Sequence, residues 1–245
     1  LAAEHELVVG HELRLFLLAF SHGLAWGVGL ALGYLALEPY LRRRWPDKLI
    51  SWARLISGNW RDPMIGRDVL IGIAAGLTHG ALAGLTTKIA ALITGRSAMP
   101  LNGHLELLDS VTMGFGHIAT SVVSGTLVGL AFMLLLMFLT ILLRRRSLAI
   151  GGLFVVQVAL YSFASRQTWM YAIFVLLAAL YTFILVRFGL LAMAATHMAF
   201  TAVFFYPLPD AAAWYTPRAL ITVVFILALE NGADFAAQSS IASLA

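Results

Sequence analysis

EPYLRRRWPDKLISWARLISGNWRDPMIGRD, residues 38–68, lies between two long apolar runs and orients the whole chain. It contains seven of the sixteen Lys and Arg residues and three of the six tryptophans. Cations beside a membrane span favour the cytoplasmic side, and tryptophan prefers the headgroup layer. We therefore predict a basic, Trp-rich cytoplasmic loop that fixes the sidedness of the protein. Its predicted anchors are Arg42, Arg43, Arg44, Trp45, Trp52 and Trp60.

Composition places the chain in a lipid bilayer. Of its 245 residues, 61% are hydrophobic and only 11% are charged, whereas a soluble domain has about 25% charged residues. Cysteine is absent, which excludes disulfides, cysteine-bound iron–sulfur clusters and thiol catalysis. No linker rich in Pro, Gly or Ser divides the sequence. We therefore predict one all-α integral membrane domain over residues 1–245.

Stretches that lack Asp, Glu, Lys and Arg predict the transmembrane helices, because about 20 apolar residues cross the hydrocarbon core. Six such stretches, and a seventh that contains Arg218, predict about seven helices with the N-terminus outside and the C-terminus inside. This arrangement puts eleven of the sixteen basic residues on the inner side. The alternative is six helices, with the last stretch peripheral. The predicted spans are 15–37, 69–87, 110–143, 147–165, 167–186, 188–209 and 211–229.

Two segments are expected to depart from a simple span. Residues 110–143 are too long for one perpendicular helix, so we interpret their small, polar first half as an interfacial or protein-buried extension of a tilted helix. Residues 49–56, LISWARLI, are amphipathic and are predicted to lie along the membrane interface.

Glycines recur every four residues in several spans. Small residues at this spacing let another helix backbone approach closely, which favours helix packing inside the protein. The alternative is an interface with another subunit or with a flat ligand. The candidate packing residues are Gly72, Gly76, Gly80, Gly84, Gly125 and Gly129, and Gly23/Gly27 and Gly29/Gly33 have the same spacing.

Four histidines lie in or near predicted spans: His22, His79, His117 and His197. Ionisable residues inside a membrane are costly and are often functional. A neutral histidine that bonds a neighbouring helix is the first interpretation. The alternatives are axial ligation of a tetrapyrrole, such as a (bacterio)chlorophyll-type pigment, and a proton path. Their spacing forms no HExxH or paired i,i+4 motif, so no metal site is predicted.

Nothing in the sequence predicts an enzyme. It has no Glu-Glu pair with spaced histidines and no GxSx serine within a span, so intramembrane proteolysis is not expected. The basic residues lie in short loops beside the spans rather than on a polar fold, which argues against nucleic acid as a partner. Lipid is the other ligand that this composition suggests.

Two blocks of sequence carry a resemblance to one family. EPYLRRRWPDKLISWARLISGNWRDPMIGRDVLIG (38–72) resembles a loop of the type EPYxRRRWPxxLISWxRLLxGxxRDPxVGRDVLxG. That loop joins two spans in the multispanning membrane region at the C-terminus of acidobacterial serine/threonine protein kinases. LVRFGLLA (185–192) and AAWYTPRALITVVFILAL (212–229) follow in the same order and spacing. The resemblance covers residues 37–229, and the tail 230–245 departs from it.

The resemblance implies a multi-pass anchor or sensory module in a bacterial inner (cytoplasmic) membrane, attached to a catalytic domain. The kinase itself is not in this sequence, which has no Gly-rich loop followed by a β3 lysine, no HRD and no DFG. Because the chain begins at Leu1 rather than with Met, we expect an upstream part.

The expected function is therefore that of a non-catalytic membrane module, working as a scaffold, an anchor or an accessory subunit of a larger assembly. The expected partners are membrane lipids and either other membrane subunits or a fused kinase domain. The first alternative is a sensory membrane domain of a receptor-like kinase. The second is a pigment-associated accessory subunit of a bacterial photosynthetic reaction-centre complex. A transporter or channel is the third, weakened by the lack of internal repeats.

Overall fold

The computed structural model describes residues 9–95, 111–164, 170–204 and 223–232. These residues are almost entirely helical, and none of them is in a strand, so the predicted all-α class is confirmed for this part of the chain. The helices are α1 (Val9–Arg44), α2 (Ile50–Ile56), α3 (Pro63–Thr94), α4 (Val111–Leu143), α5 (Arg146–Ala164), α6 (Tyr171–Arg187), α7 (Leu190–Phe204) and α8 (Val223–Gly232), with a 3-10 turn at Pro46–Lys48.

Four helices are long and apolar enough to cross a membrane: they contain Phe16–Tyr40, Pro63–Thr86, Met113–Leu143 and Arg146–Phe163. The described parts of α6, α7 and α8 are shorter apolar helices. Each falls within or overlaps one of the remaining predicted spans, and each of those spans extends outside the described ranges. Seven spans and the sidedness therefore stay predictions.

Residues 38–68 are mostly helix rather than loop, which corrects the sequence-based boundary. The α1 helix continues through Pro39 to Arg44, and α2 occupies the predicted amphipathic segment. Asp62 caps the start of α3, because its side chain accepts a hydrogen bond from the backbone N–H of Met64 at 2.8 Å. Pro63 follows at the first helical position, where its fixed φ suits a helix start.

The centre of the bundle is α7, which packs most extensively against α3 and α4. The α4 helix is continuous over its 33 residues, so the predicted extension at 110–143 is part of one helix. Its small, polar first half includes Gly125, which lies against the α7 backbone at Ala194. At this position the small residue therefore lets the two helix backbones approach closely.

In contrast, α1 stands largely apart from the other helices. None of the residues in the most apolar window of Phe16–Tyr40 is buried, whereas 33% of the corresponding windows in α3 and α4 are. Its contact with the bundle is near its C-terminal end, where Tyr34 packs against the core. Most of α1 is thus an apolar helix without a packing partner among the described residues.

Candidate functional site

The glycine spacing of α3 marks its contact with α7. A methyl group added at Gly72 would collide with Ala192 and Ala195, and one at Gly76 would collide with the carbonyl of Thr196. One turn further on, a methyl group added at Gly80 would lie 3.6 Å from the side chain of Val203. The row thus serves packing inside the protein.

The described part of this contact runs from Gly72 to Gly80, because α7 is described as far as Phe204. On α4, Gly125 and Gly129 contact the opposite side of α7, at Ala194 and Leu190. Thus α7 lies between two glycine-lined helices and contacts both rows, at Gly72, Gly76 and Gly80 on α3 and at Gly125 and Gly129 on α4.

His79 occupies a cluster of rings between α3, α5, α6 and α7. Its Nδ1 is 2.9 Å from the hydroxyl of Tyr181, and its ring stacks on Phe200 with centroids 3.5 Å apart. Tyr161 approaches edge-on, with ring centroids 6.4 Å apart. His197 also lies beside Tyr181, with their ring centroids 6.5 Å apart. Two of the four predicted histidines therefore meet around one buried phenol.

The surroundings of His79 do not fit an axial ligand of a tetrapyrrole. Such a ligand needs an imidazole nitrogen that faces an open plane, but this side chain is only 5% exposed, with one ring face covered by Phe200. The geometry favours a neutral histidine that bonds a neighbouring helix, which was the first interpretation of the sequence.

The other two histidines lie apart from this cluster. The Nε2 of His117 is 3.1 Å from the carbonyl of Thr201, so it donates across to α7. The Nδ1 of His22 donates to the carbonyl of Leu18 at 2.8 Å on the exposed surface of α1. In its neutral form the Nε2 of His22 is then an acceptor. Of the four, His22 has the most open surroundings.

Lys48 joins the first basic connection to the turn between α6 and α7. Its Nζ donates to the carbonyl of Arg187 at 3.0 Å, and Gly189, with φ +98°, runs so close to the Lys48 backbone that a side chain there would collide. Nζ also lies 2.8 Å from a carboxylate oxygen of Asp47. The hydrogen bond from Lys48 holds the pKa of Asp47 below its ordinary 3.8.

Arg146, at the connection between α4 and α5, contacts the same region of the protein as Lys48. Its guanidinium carbon lies 4.1 Å from the centre of the Trp45 ring, a cation–π contact. The three predicted cytoplasmic connections therefore meet at one end of the bundle, called the basic end below. Trp45 itself is only 5% exposed, so it packs inside the protein rather than among headgroups. Of the three predicted tryptophan anchors, only Trp60 is largely exposed, at 72%.

Ser51 and Asp68 hold α2 against α3. Both side chains are 1% exposed, and the Ser51 hydroxyl donates to one carboxylate oxygen of Asp68. Arg67 donates to the other carboxylate oxygen from Nε and Nη2, at 3.0 and 2.8 Å. Arg54 forms an ion pair with the capping Asp62. Sequence reasoning missed Lys48 and Asp68, although ionisable residues beside a span are the signal that points to them.

Two openings lie at the basic end. One is a groove of about 670 Å³ between α5 and α6, which includes Lys48 and Arg146 in its lining. The other is a cavity of about 480 Å³ between α8 and the groove that α3, α4 and α7 form, with Trp52 and Trp60 among its residues. Both fall within the range of about 300–1,000 Å³ that is usual for small-molecule sites.

The part of the chain that the structure describes is all-helical, and four of its helices are long and apolar enough to cross a membrane. Within the described ranges, no three His, Asp or Glu residues are grouped so that they could hold a metal ion. No protein family, curated protein or solved structure matches the chain.

Proposed function

We propose that this protein is a non-catalytic, multi-pass membrane module that acts by association, as a scaffold or accessory subunit of a larger membrane assembly. The observation that carries the proposal is the exposure of α1. This helix is 36 residues long, yet the most apolar window of its span contains no buried residue.

The composition of the exposed surface of α1 supports a helical partner rather than lipid alone. Among the residues that the structure describes, none has an atom within 4 Å of a methyl group placed at Gly23, Gly27, Gly29 or Gly33. At about 100° per residue, the second pair lies about 120° round the helix from the first. Elsewhere in this chain the same spacing marks helix contacts, as Gly72 and Gly76 do against α7. Leaving four such positions to lipid would forgo close backbone packing.

The polar groups of the same surface also favour a protein neighbour. His22 and Ser21 are exposed on α1, and each bonds the carbonyl of Leu18. Their remaining hydrogen-bonding capacity would be unsatisfied in hydrocarbon. A neighbouring helix that carries a polar group at this depth would satisfy it.

The proposal includes a position in the membrane. The basic end faces the cytoplasm, because basic residues of three connections meet there, and the N-terminus of α1 is outside. The similarity of residues 37–229 to a kinase-associated membrane region supports a bacterial inner membrane. A fused kinase domain is also compatible with this proposal, because it would use this chain as its membrane anchor.

Site-specific cross-linking in native membranes tests the proposal. Because the chain has no cysteine, a single one introduced by Leu24→Cys is a unique reactive group on α1. We expect it to give a cross-linked product with another polypeptide, identified by peptide mass spectrometry. Phe163→Cys, at a side chain 91% exposed on α5, is the matched control and should give none.

A packing variant separates contact from mere proximity. Gly27→Leu should abolish the cross-link from Leu24→Cys, because it fills the surface that a partner helix would approach. Ala25→Leu introduces the same side chain at an exposed position about 160° round the helix from Gly27 and about 100° from Leu24, and should preserve the product. Equal yields from α1 and α5, or no product from either, would contradict the proposal.

A further inference from the structure

The groove between α5 and α6 is positively charged at the basic end of the bundle and mainly apolar further from that end. Lys48, Arg146 and Arg187 line it at the basic end. Its other lining residues are apolar except Thr182, and no carboxylate is among them. Asp47 lies beside the groove and is bound to Lys48, which leaves the two guanidinium groups as the excess positive charge.

The cations are held in place by contacts within the protein. Lys48 is 7% exposed, and its Nζ is directed to the Arg187 carbonyl and to Asp47. Arg146 lies over the ring of Trp45. Both arginines are exposed, so their N–H groups can reach a ligand. A guanidinium presents a planar set of donors that matches a phosphate oxygen pair.

A second polar group lies deeper in the groove. The hydroxyl of Thr182 is buried and has no hydrogen-bond partner among the residues that the structure describes, and the residue is 7% exposed. It precedes Arg187 by five residues, which is about 8 Å along the helix axis. The interfacial layer of a bilayer is of similar depth, about 5–8 Å on each side. The Thr182 hydroxyl is therefore at the depth of the ester groups of a phospholipid whose phosphate is level with Arg187.

At about this level the groove is otherwise open and apolar. Gly151 of α5 is also five residues from the basic end, and a methyl group placed there would meet no atom of the described residues within 4 Å. The aromatic side chains of Phe154 and Phe183 line the groove on its α5 and α6 sides. An acyl chain fits this surface, because it is as apolar as the side chains that flank it.

We propose that the groove is a binding site for one anionic phospholipid. The phosphate lies between Arg146 and Arg187, an ester oxygen accepts a hydrogen bond from Thr182, and an acyl chain runs past Gly151 between the two phenylalanines. Basic pockets between helices on the cytoplasmic side of a membrane are suited to anionic headgroups. The role of α1 as an association surface does not enter this argument.

Native mass spectrometry of the full chain with defined lipids tests the site. The protein is titrated with phosphatidylglycerol and, separately, with phosphatidylcholine. We expect one tightly held phosphatidylglycerol, and Arg146→Gln together with Arg187→Gln should weaken it by about tenfold or more, since each charge-assisted hydrogen bond contributes strongly. Arg43→Gln together with Arg145→Gln removes the same charge outside the groove and should change the affinity less than about twofold.

Two further variants keep every charge, so they test the lipid site even if the double arginine variant fails to fold. Thr182→Val removes only the hydroxyl, and Gly151→Leu fills the acyl path. Both should lower the occupancy of phosphatidylglycerol. Equal losses in the groove and control arginine variants would overturn the proposal, as would unchanged binding in Gly151→Leu. Displacement of the lipid by millimolar inorganic phosphate would also overturn it, since the site would then recognise phosphate alone.

Discussion

The imidazole ring of His79 lies flat on the ring of Phe200, with their centroids 3.5 Å apart and their planes within 6°. The same histidine bonds Tyr181 at 2.9 Å. One side chain of α3 therefore contacts both α6 and α7. Because this contact lies among apolar helices, the hydrogen bond is one of the few directional interactions that define how these helices are placed.

The His79–Tyr181 bond should make a measurable but modest contribution to stability. We expect Tyr181→Phe to lower the free energy of unfolding by about 0.6 kcal/mol, and by no more than about 1.7 kcal/mol, as is usual for hydrogen bonds between membrane helices. A double-mutant cycle with His79→Phe, measured by unfolding in detergent, gives the coupling. Fully additive effects would show that the two groups do not interact.

The α3–α7 contact should tolerate no side chain at its centre. Gly76→Ala would drive a methyl group into the Thr196 carbonyl and the Ala199 side chain. We expect a loss of about 1–3 kcal/mol, the usual cost of overpacking. Gly80→Ala is the matched control on the same helix, since its methyl group would lie at an ordinary van der Waals distance of 3.6 Å from Val203. The midpoint of thermal unfolding compares the two, and an equal shift would contradict the contact.

Gln157 should be a stabilising position for substitution. The residue is fully buried in α5, and within the described part of the chain neither its amide nitrogen nor its oxygen has a hydrogen-bond partner. Replacing an unsatisfied polar group by an apolar one of similar size removes a penalty of about 1–3 kcal/mol. We therefore expect Gln157→Leu to raise the unfolding midpoint. A lower midpoint would mean that the amide is satisfied by an ordered water or ligand.

The basic end should control insertion. We expect the triple variant Arg42→Glu, Arg43→Glu and Arg44→Glu to lower abundance or to give mixed topology, because it reverses charge beside the first span. Ser57→Cys and Ile93→Cys report the two ends of α3 in separate proteins. In the parent chain only the first should be labelled from the cytoplasm. An unchanged labelling pattern in the triple variant would show that these arginines do not orient the protein.

Much of the fold could be predicted from where charge is absent. Stretches without charge gave helices close to those of the structure, because a bilayer excludes charge and backbone groups must pair within each helix. The spacing of Gly72 and Gly76 likewise indicated a close helix contact. It could not indicate the partner, because lipid chains and neighbouring helices are equally apolar and hydropathy cannot distinguish them.

The candidate site was less predictable than the fold. Sequence reasoning identified His79 as an isolated ionisable group, whereas its surroundings depend on Tyr181 and Phe200, more than 100 residues later. For Trp45, the sequence predicted a headgroup anchor, but the side chain is buried beneath Arg146. Both outcomes are set by which helices become neighbours, and residue spacing within one helix does not record that.

The central position of α7 has a consequence for biosynthesis. Gly76 meets Thr196, and the 120 residues between them take about 6–24 s to synthesise at 5–20 residues per second. During that interval the glycine surfaces of α3 and α4 are already made but their partner is not. A nascent chain must therefore keep an unfilled groove in the membrane until α7 emerges, which makes the assembly of this protein a late event that depends on its final third.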